Sequence, residues 1–145
     1  MRYGRSFLRF VLLAGICCSF VFSQTAPATL TISGDIPTPL VLTAADLAKM
    51  PRETASVQDR DGTEIKYEGV LLRDVLKRAG APLGKDLRGK ALASYVLAKA
   101  TDGYEVAFTL GEIDTDFGNT PILVADKRDG KSLFGYQGPF RLVCP

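Results

Sequence analysis

The sequence predicts an α+β domain with mixed β-sheets and few helices. Three observations carry that prediction. Short apolar–polar alternations recur along the chain, three Asp-Gly turns separate strand-like runs, and residues 71–79 place apolar side chains at helical spacing.

The elements follow in order. Residues 30–33 alternate apolar and polar and read as a strand, closed by Gly34 and Asp35. A second short strand, 40–42, follows the turn around Pro37 and Pro39. Thr43 predicts a helix N-cap, with Asp46 three residues on in capping-box spacing. Leu47 and Met50 then face inward, and Pro51 ends the helix. Strands at 53–57 and 64–67 bracket Asp59-Arg60-Asp61-Gly62, a hairpin signal because Asp-Gly tolerates positive φ. In the next helix Leu71, Leu72, Val75, Leu76 and Ala79 share one face, and Arg73, Asp74, Lys77 and Arg78 share the other. Gly80 supplies its C-terminal left-handed residue and Pro82 prevents a restart. Residues 91–98 read as a buried strand, and Thr101-Asp102-Gly103-Tyr104 as a tight turn into a strand at 105–109. Residues 111–119 read as a polar connection and 122–125 as a strand. The turn at 127–130 leads to Leu133 and Phe134, and a glycine-rich loop, 135–139, leads to a last strand at 140–144.

The N-terminus predicts export. Arg2, Arg5 and Arg9 precede an apolar run over 10–22, too short to span a bilayer comfortably as a helix, and Ser23 supplies a small residue for cleavage. The expectation is a signal peptide over 1–23 and a single domain over 24–145, periplasmic or secreted, with no membrane insertion after cleavage. An uncleaved membrane anchor is the alternative. Because an apolar strand runs straight into Pro145, the sequence also reads as a candidate C-terminal truncation.

Charge and composition exclude several functions. The chain has 18 Lys and Arg against 16 Asp and Glu; without Arg2, Arg5 and Arg9 the balance is 15 against 16, a net charge of −1. No basic cluster interleaved with aromatics marks a nucleic-acid binder. There is no histidine, which excludes His-based triads, His-type zinc sites and histidine proton shuttles. Cys17 and Cys18 leave with the signal, so Cys144 has no intramolecular partner and reads as a buried, inert thiol between strand neighbours. The acidic turns at 59–62 and 114–119 echo calcium loops without their full donor set and read as solvated turns. No residue is assigned a catalytic or metal-ligating role.

The order of motifs resembles a known family. The segment Tyr67-Glu68-Gly69-Val70 opens the apolar helix, Asp102-Gly103-Tyr104 follows a strand, and Gly138-Pro139-Phe140-Arg141 follows a glycine-rich turn. Over residues 30–145 this ordered set resembles the molybdopterin-binding domain of the sulfite oxidase family, including its small exported bacterial relatives. The resemblance implies the sulfite-oxidase-type molybdopterin-binding fold and, by resemblance only, a molybdopterin cofactor. Two departures stand against the family's chemistry. Family enzymes hold molybdenum through a cysteine thiolate, and the corresponding stretch, Thr54-Ala55-Ser56-Val57-Gln58-Asp59, has none. The basic residues that hold the cofactor phosphate in those enzymes lie beyond the final proline.

The expected ligand-binding residues are Asp102, Tyr104, Tyr136 and Arg141. Asp102 and Tyr104 lie in the family's pocket loop or simply form a turn around Gly103. Arg141, in an apolar strand, needs an anionic partner: a bound phosphate or other oxyanion, or an internal acid such as Asp102 or Glu105. The functional expectation is a non-catalytic ligand-binding or accessory protein. The alternative is a molybdopterin-dependent oxidoreductase subunit whose cofactor lacks cysteine ligation. Expected partners are a small anionic or pterin ligand and a protein of a redox complex.

Overall fold

Turns at positive-φ glycines cut this chain into short antiparallel pairs. The computed structural model describes residues 28–145; the export signal expected at 1–23 lies outside them. The strands β1 (Leu30–Ile32) and β2 (Leu40–Leu42) form a two-stranded antiparallel ribbon. Helix α1 (Ala44–Leu47) starts on the expected capping box. Thr43 Oγ1 accepts from the Asp46 amide at 3.3 Å, and the Thr43 amide donates to Asp46 Oδ2 at 3.0 Å. The Thr43 hydroxyl, which donates to Asp46 Oδ2 at 2.7 Å, and then the Thr43 amide hold the Asp46 carboxyl below the usual carboxylate range.

The main sheet runs β3 (Glu53–Gln58), β4 (Glu64–Leu71), β7 (Leu123–Arg128), all antiparallel. On its far side β7 pairs with β8 (Lys131–Ser132) along one half and with β9 (Arg141–Val143) along the other. Strands β5 (Tyr95–Lys99) and β6 (Glu105–Thr109) form a separate hairpin, turned at Gly103 with φ 89°. Helix α2 (Leu72–Arg78) begins directly at the end of β4. The expected fold class holds: several sheets carry the domain and the helices are few and short.

Strand alternation gives the main sheet two apolar faces. Val70 and Val124 point to one side, where Leu72, Val75 and Leu76 of α2 join Leu47, Phe108 and Ile113 in the larger core. Ile65, Tyr67, Leu71, Leu123, Ala125 and Val143 point to the other side, covered in part by Leu133. Leu71 therefore ends β4 and serves the second cluster. The remaining apolar positions, Leu72, Val75, Leu76 and Ala79, form the buried face of α2 as expected.

The structure corrects three local expectations. Residues 89–93 form a 3-10 turn, opened by Gly89 at φ 57°, so β5 begins only at Tyr95. Strand β5 is half-exposed, with Tyr95 and Leu97 facing outward. Within the expected polar connection lies α3 (Leu110–Ile113), capped by Thr109 Oγ1, which accepts from the Glu112 amide at 3.1 Å.

Between β4 and β7 the register slips at Glu68/Gly69, because Gly69 faces Ala125 whereas Glu68 faces Lys127. Asp126 is the unmatched residue, a β-bulge on β7. Gly69 is required there by close approach: a Cβ would lie 2.1 Å from the Val124 carbonyl oxygen.

Candidate functional site

The segment aligned by resemblance with the metal-ligating stretch becomes strand β3. It is the edge of the main sheet, paired to β4 on one side only. Residues Glu53, Thr54, Ala55 and Ser56 line a concavity of about 390 Å³, closed by Leu71, Arg73, Pro121, Leu123 and Pro145. Its chemistry is mixed: apolar side chains from the sheet end, two hydroxyls, one carboxylate and one guanidinium.

Arg73 owes its position to the start of α2, immediately after the sheet. Its Nη1 donates to Asn119 Oδ1 at 2.6 Å, and Asn119 adopts φ 53°, a conformation asparagine tolerates. Arg73 also lines a second concavity of about 190 Å³, with Lys77, Asp74, Leu83, Gly84, Asp114 and Thr115. In that concavity the Asp114 carboxylate is committed to the backbone. It accepts from the Gly84 amide at 2.6 Å and the Asp116 amide at 2.8 Å, and the residue is buried. Its role there is to pin two loops together.

A further charged pair escapes sequence reading. Arg52 donates from Nη1 to Asp126 Oδ2 at 2.9 Å and from Nη2 to Asp126 Oδ1 at 2.5 Å. The Asp126 side chain is 9% exposed and that of Arg52 29%. The hydrogen bonds to Asp126 raise the Arg52 pKa, against the opposing effect of burial. The pair ties the segment after α1 to the bulge on β7. It is a structural clamp, and its separation of 74 positions leaves no local signal in the sequence.

The expected ligand residues are spread over several elements. Asp102 and Tyr104 sit at the β5–β6 turn, exposed, with Asp102 Oδ1 accepting from the Tyr104 amide at 3.0 Å. Tyr136 belongs to a 3-10 turn, Gly135–Gln137. Arg141 opens β9, in a different sheet from Asp102 and Tyr104. Asp102, Tyr104 and Arg141 line neither concavity described above.

Alternation does put Arg141 on the face opposite Phe140 and Leu142, which pack on the larger core. That face is open at this position. Arg141 is exposed and lies over the Tyr67 ring at 5.7 Å from the centroid, with no ion pair among the described residues. An exposed guanidinium keeps its hydration, so the internal carboxylate that burial would have demanded is not required. Cys144 is likewise exposed, not buried, because β9 ends at Val143, whose side chain takes the core position. Partial burial, reinforced by Glu112, pushes its thiol pKa up.

The residues present do not fit a cysteine-ligated molybdenum centre. Among the described residues no sulfur atom lines either concavity, and β3 carries threonine, serine and glutamine where a soft anionic ligand is required. Among the described residues, no three Asp, Glu or Cys side chains converge to hold a metal ion.

No family model matches the sequence, and no curated protein matches it. Among solved structures the chain is similar to the sulfane dehydrogenase SoxCD from Paracoccus pantotrophus, at TM-score 0.58 and 23% identity over 81% of this chain. This chain spans 33% of that one. The likeness shows the fold.

Proposed function

We propose that this protein is an exported, non-catalytic binding or accessory domain built on the sulfite-oxidase-type molybdopterin-binding fold. One observation carries the reading. The strand that would supply the metal thiolate contributes hydroxyl, methyl and carboxylate groups to an open concavity, so the site has the shape of a binding surface without the ligand for redox chemistry. Arg73 supplies that surface with a cation for a small anionic ligand. Asp102, Tyr104, Tyr136 and Arg141 remain part of the proposal as turn and strand-end residues that a ligand would meet.

The second reading is an oxidoreductase subunit that binds a molybdopterin cofactor without cysteine ligation. A dehydrogenase with the same fold favours it. Oxidising an acid extract of the purified protein and measuring pterin fluorescence separates the two. The accessory reading predicts no pterin above a blank from the same host. A stoichiometric pterin would establish the second reading and end the first. Export is tested by N-terminal sequencing of the periplasmic fraction, where the chain is expected to start near Gln24. An intact Met1 in the membrane fraction would contradict it.

A further inference from the structure

The smaller concavity lies between α2 and the loops that carry Leu83 and Thr115, and its donors outnumber the acceptors that meet them. Arg73 and Lys77 stand one helical turn apart on α2, a spacing that sets two side chains on one face with their Cβ atoms ~5–6 Å apart. Both line the concavity, and neither forms an ion pair among the described residues. Arg73 is half-buried and is positioned by its bond to Asn119 Oδ1, an uncharged acceptor. Its other N–H groups meet no acceptor among the described residues. From the 114–119 loop Thr115 adds a hydroxyl that also has no described partner.

The two carboxylates in the same lining leave those cations unmatched. Asp114 has both oxygens bonded to amides, so its charge is already answered by the Gly84 and Asp116 N–H groups. Asp74 forms no ion pair, and no nitrogen of Arg73 or Lys77 lies within 4.0 Å of either carboxylate. The Asp114 bonds also join the Gly84 loop to the 114–116 turn, which sets the walls before a ligand arrives and lowers the cost of ordering them. The volume, about 190 Å³, is below the ~300–1,000 Å³ of pockets that enclose drug-sized ligands. It has room for about six waters at ~30 Å³ each, which suits one tetrahedral oxyanion and not a fused-ring cofactor.

We infer that this concavity binds a phosphate group, with Arg73 and Lys77 as its cations and Thr115 as a hydroxyl donor. Arginine and lysine are the side chains that hold phosphate through charge-assisted hydrogen bonds. A dianion satisfies both cations, where a single carboxylate satisfies one. The site is separate from the concavity at β3: Lys77 and Thr115 do not line that one, and Glu53, Ser56 and Pro145 do not line this one. The inference therefore stands apart from the accessory reading. A chain found to carry a pterin would end that reading without bearing on phosphate binding here.

The test is titration of the isotope-labelled protein with inorganic phosphate, at constant pH and at an ionic strength fixed with sodium chloride, followed by amide NMR shifts. Saturating shifts are expected at Lys77, Gly84 and Thr115. Arg73→Gln and Lys77→Gln should each weaken binding about tenfold or more, because each removes a charge-assisted bond. Asp74→Asn should tighten it by removing a like charge, and Ser56→Ala, in the other concavity, should leave it unchanged. Circular dichroism verifies that each variant folds. Acetate should bind more weakly than phosphate. Glycerol phosphate separates the sources: binding at least as tight as the free ion's supports a phosphate carried on a larger molecule, and weaker binding supports the free ion. Shifts that never saturate overturn the inference, as do saturating shifts indifferent to Lys77→Gln. Binding that depends on Arg73 and Ser56 but not on Lys77 would give the anion to the concavity at β3 and overturn it equally.

Discussion

Removing one side of the Arg52–Asp126 clamp should cost more than any surface charge in this domain. The pair makes two charge-assisted hydrogen bonds, and its carboxylate is nearly enclosed. Arg52→Ala leaves Asp126 buried without a cation, a change that costs ~3–5 kcal/mol when a buried pair is broken. Asp126→Ala leaves a guanidinium that is 29% exposed and can recover water, so the loss should be smaller, ~2–3 kcal/mol. The double variant should fall short of the sum by about 0.5–3 kcal/mol, the range found for groups in direct contact. Equilibrium urea denaturation of the four proteins gives the cycle, provided that the m-values agree. The coupling should survive added salt, since a desolvated pair is weakly screened. A coupling energy near zero, or one abolished by salt, would refute the assignment of the pair as a buried clamp.

Other variants test the packing. Gly69→Ala should destabilise by ~1–3 kcal/mol or more, because the new methyl meets the Val124 carbonyl; a neutral result in thermal melts would contradict the bulge geometry. Leu72→Ala should cost ~2–5 kcal/mol, whereas Lys77→Ala on the exposed face of α2 should be near neutral, and equal losses in urea would mean that the helix phase is wrong. Cys144 should react with a thiol reagent in the native state. Its raised pKa leaves less thiolate at neutral pH than an ordinary cysteine has, so the labelling rate should keep climbing as pH rises beyond the usual thiol range. A native thiol that reacts only after denaturation would restore the buried reading.

What the sequence revealed and what it concealed follow from the range of the interactions involved. The capping box at Thr43 and Asp46, the Asp-Gly turns and the apolar face of α2 are encoded within about four residues, and each formed where expected. Helix α3 was hidden because four residues containing Gly111 show no periodicity; its signal was the Thr109 cap alone. The strand expected from residue 91 starts only at Tyr95, because the 3-10 turn that opens at Gly89 runs on to Ala93. The Arg52–Asp126 pair, the bulge that frees Asp126 and the position of β3 at a sheet edge depend on which strands meet. Residues far apart in sequence decide that. The site was legible to the same extent. The lack of a cysteine between Thr54 and Asp59 could be read directly, whereas the company of β3 with Arg73 and Pro145 could not. Arg141 was misjudged because an apolar neighbourhood in sequence was equated with burial, and at the start of an edge strand only one face is covered.

We propose that this domain has the fold without the metal chemistry implied by its resemblance to the sulfite oxidase family. The decisive experiment is elemental analysis of the protein, purified from a host that synthesises the molybdenum cofactor. Far less than one molybdenum per chain is expected. About one molybdenum per chain, retained through gel filtration, would contradict it and would mean that a group other than cysteine holds the metal.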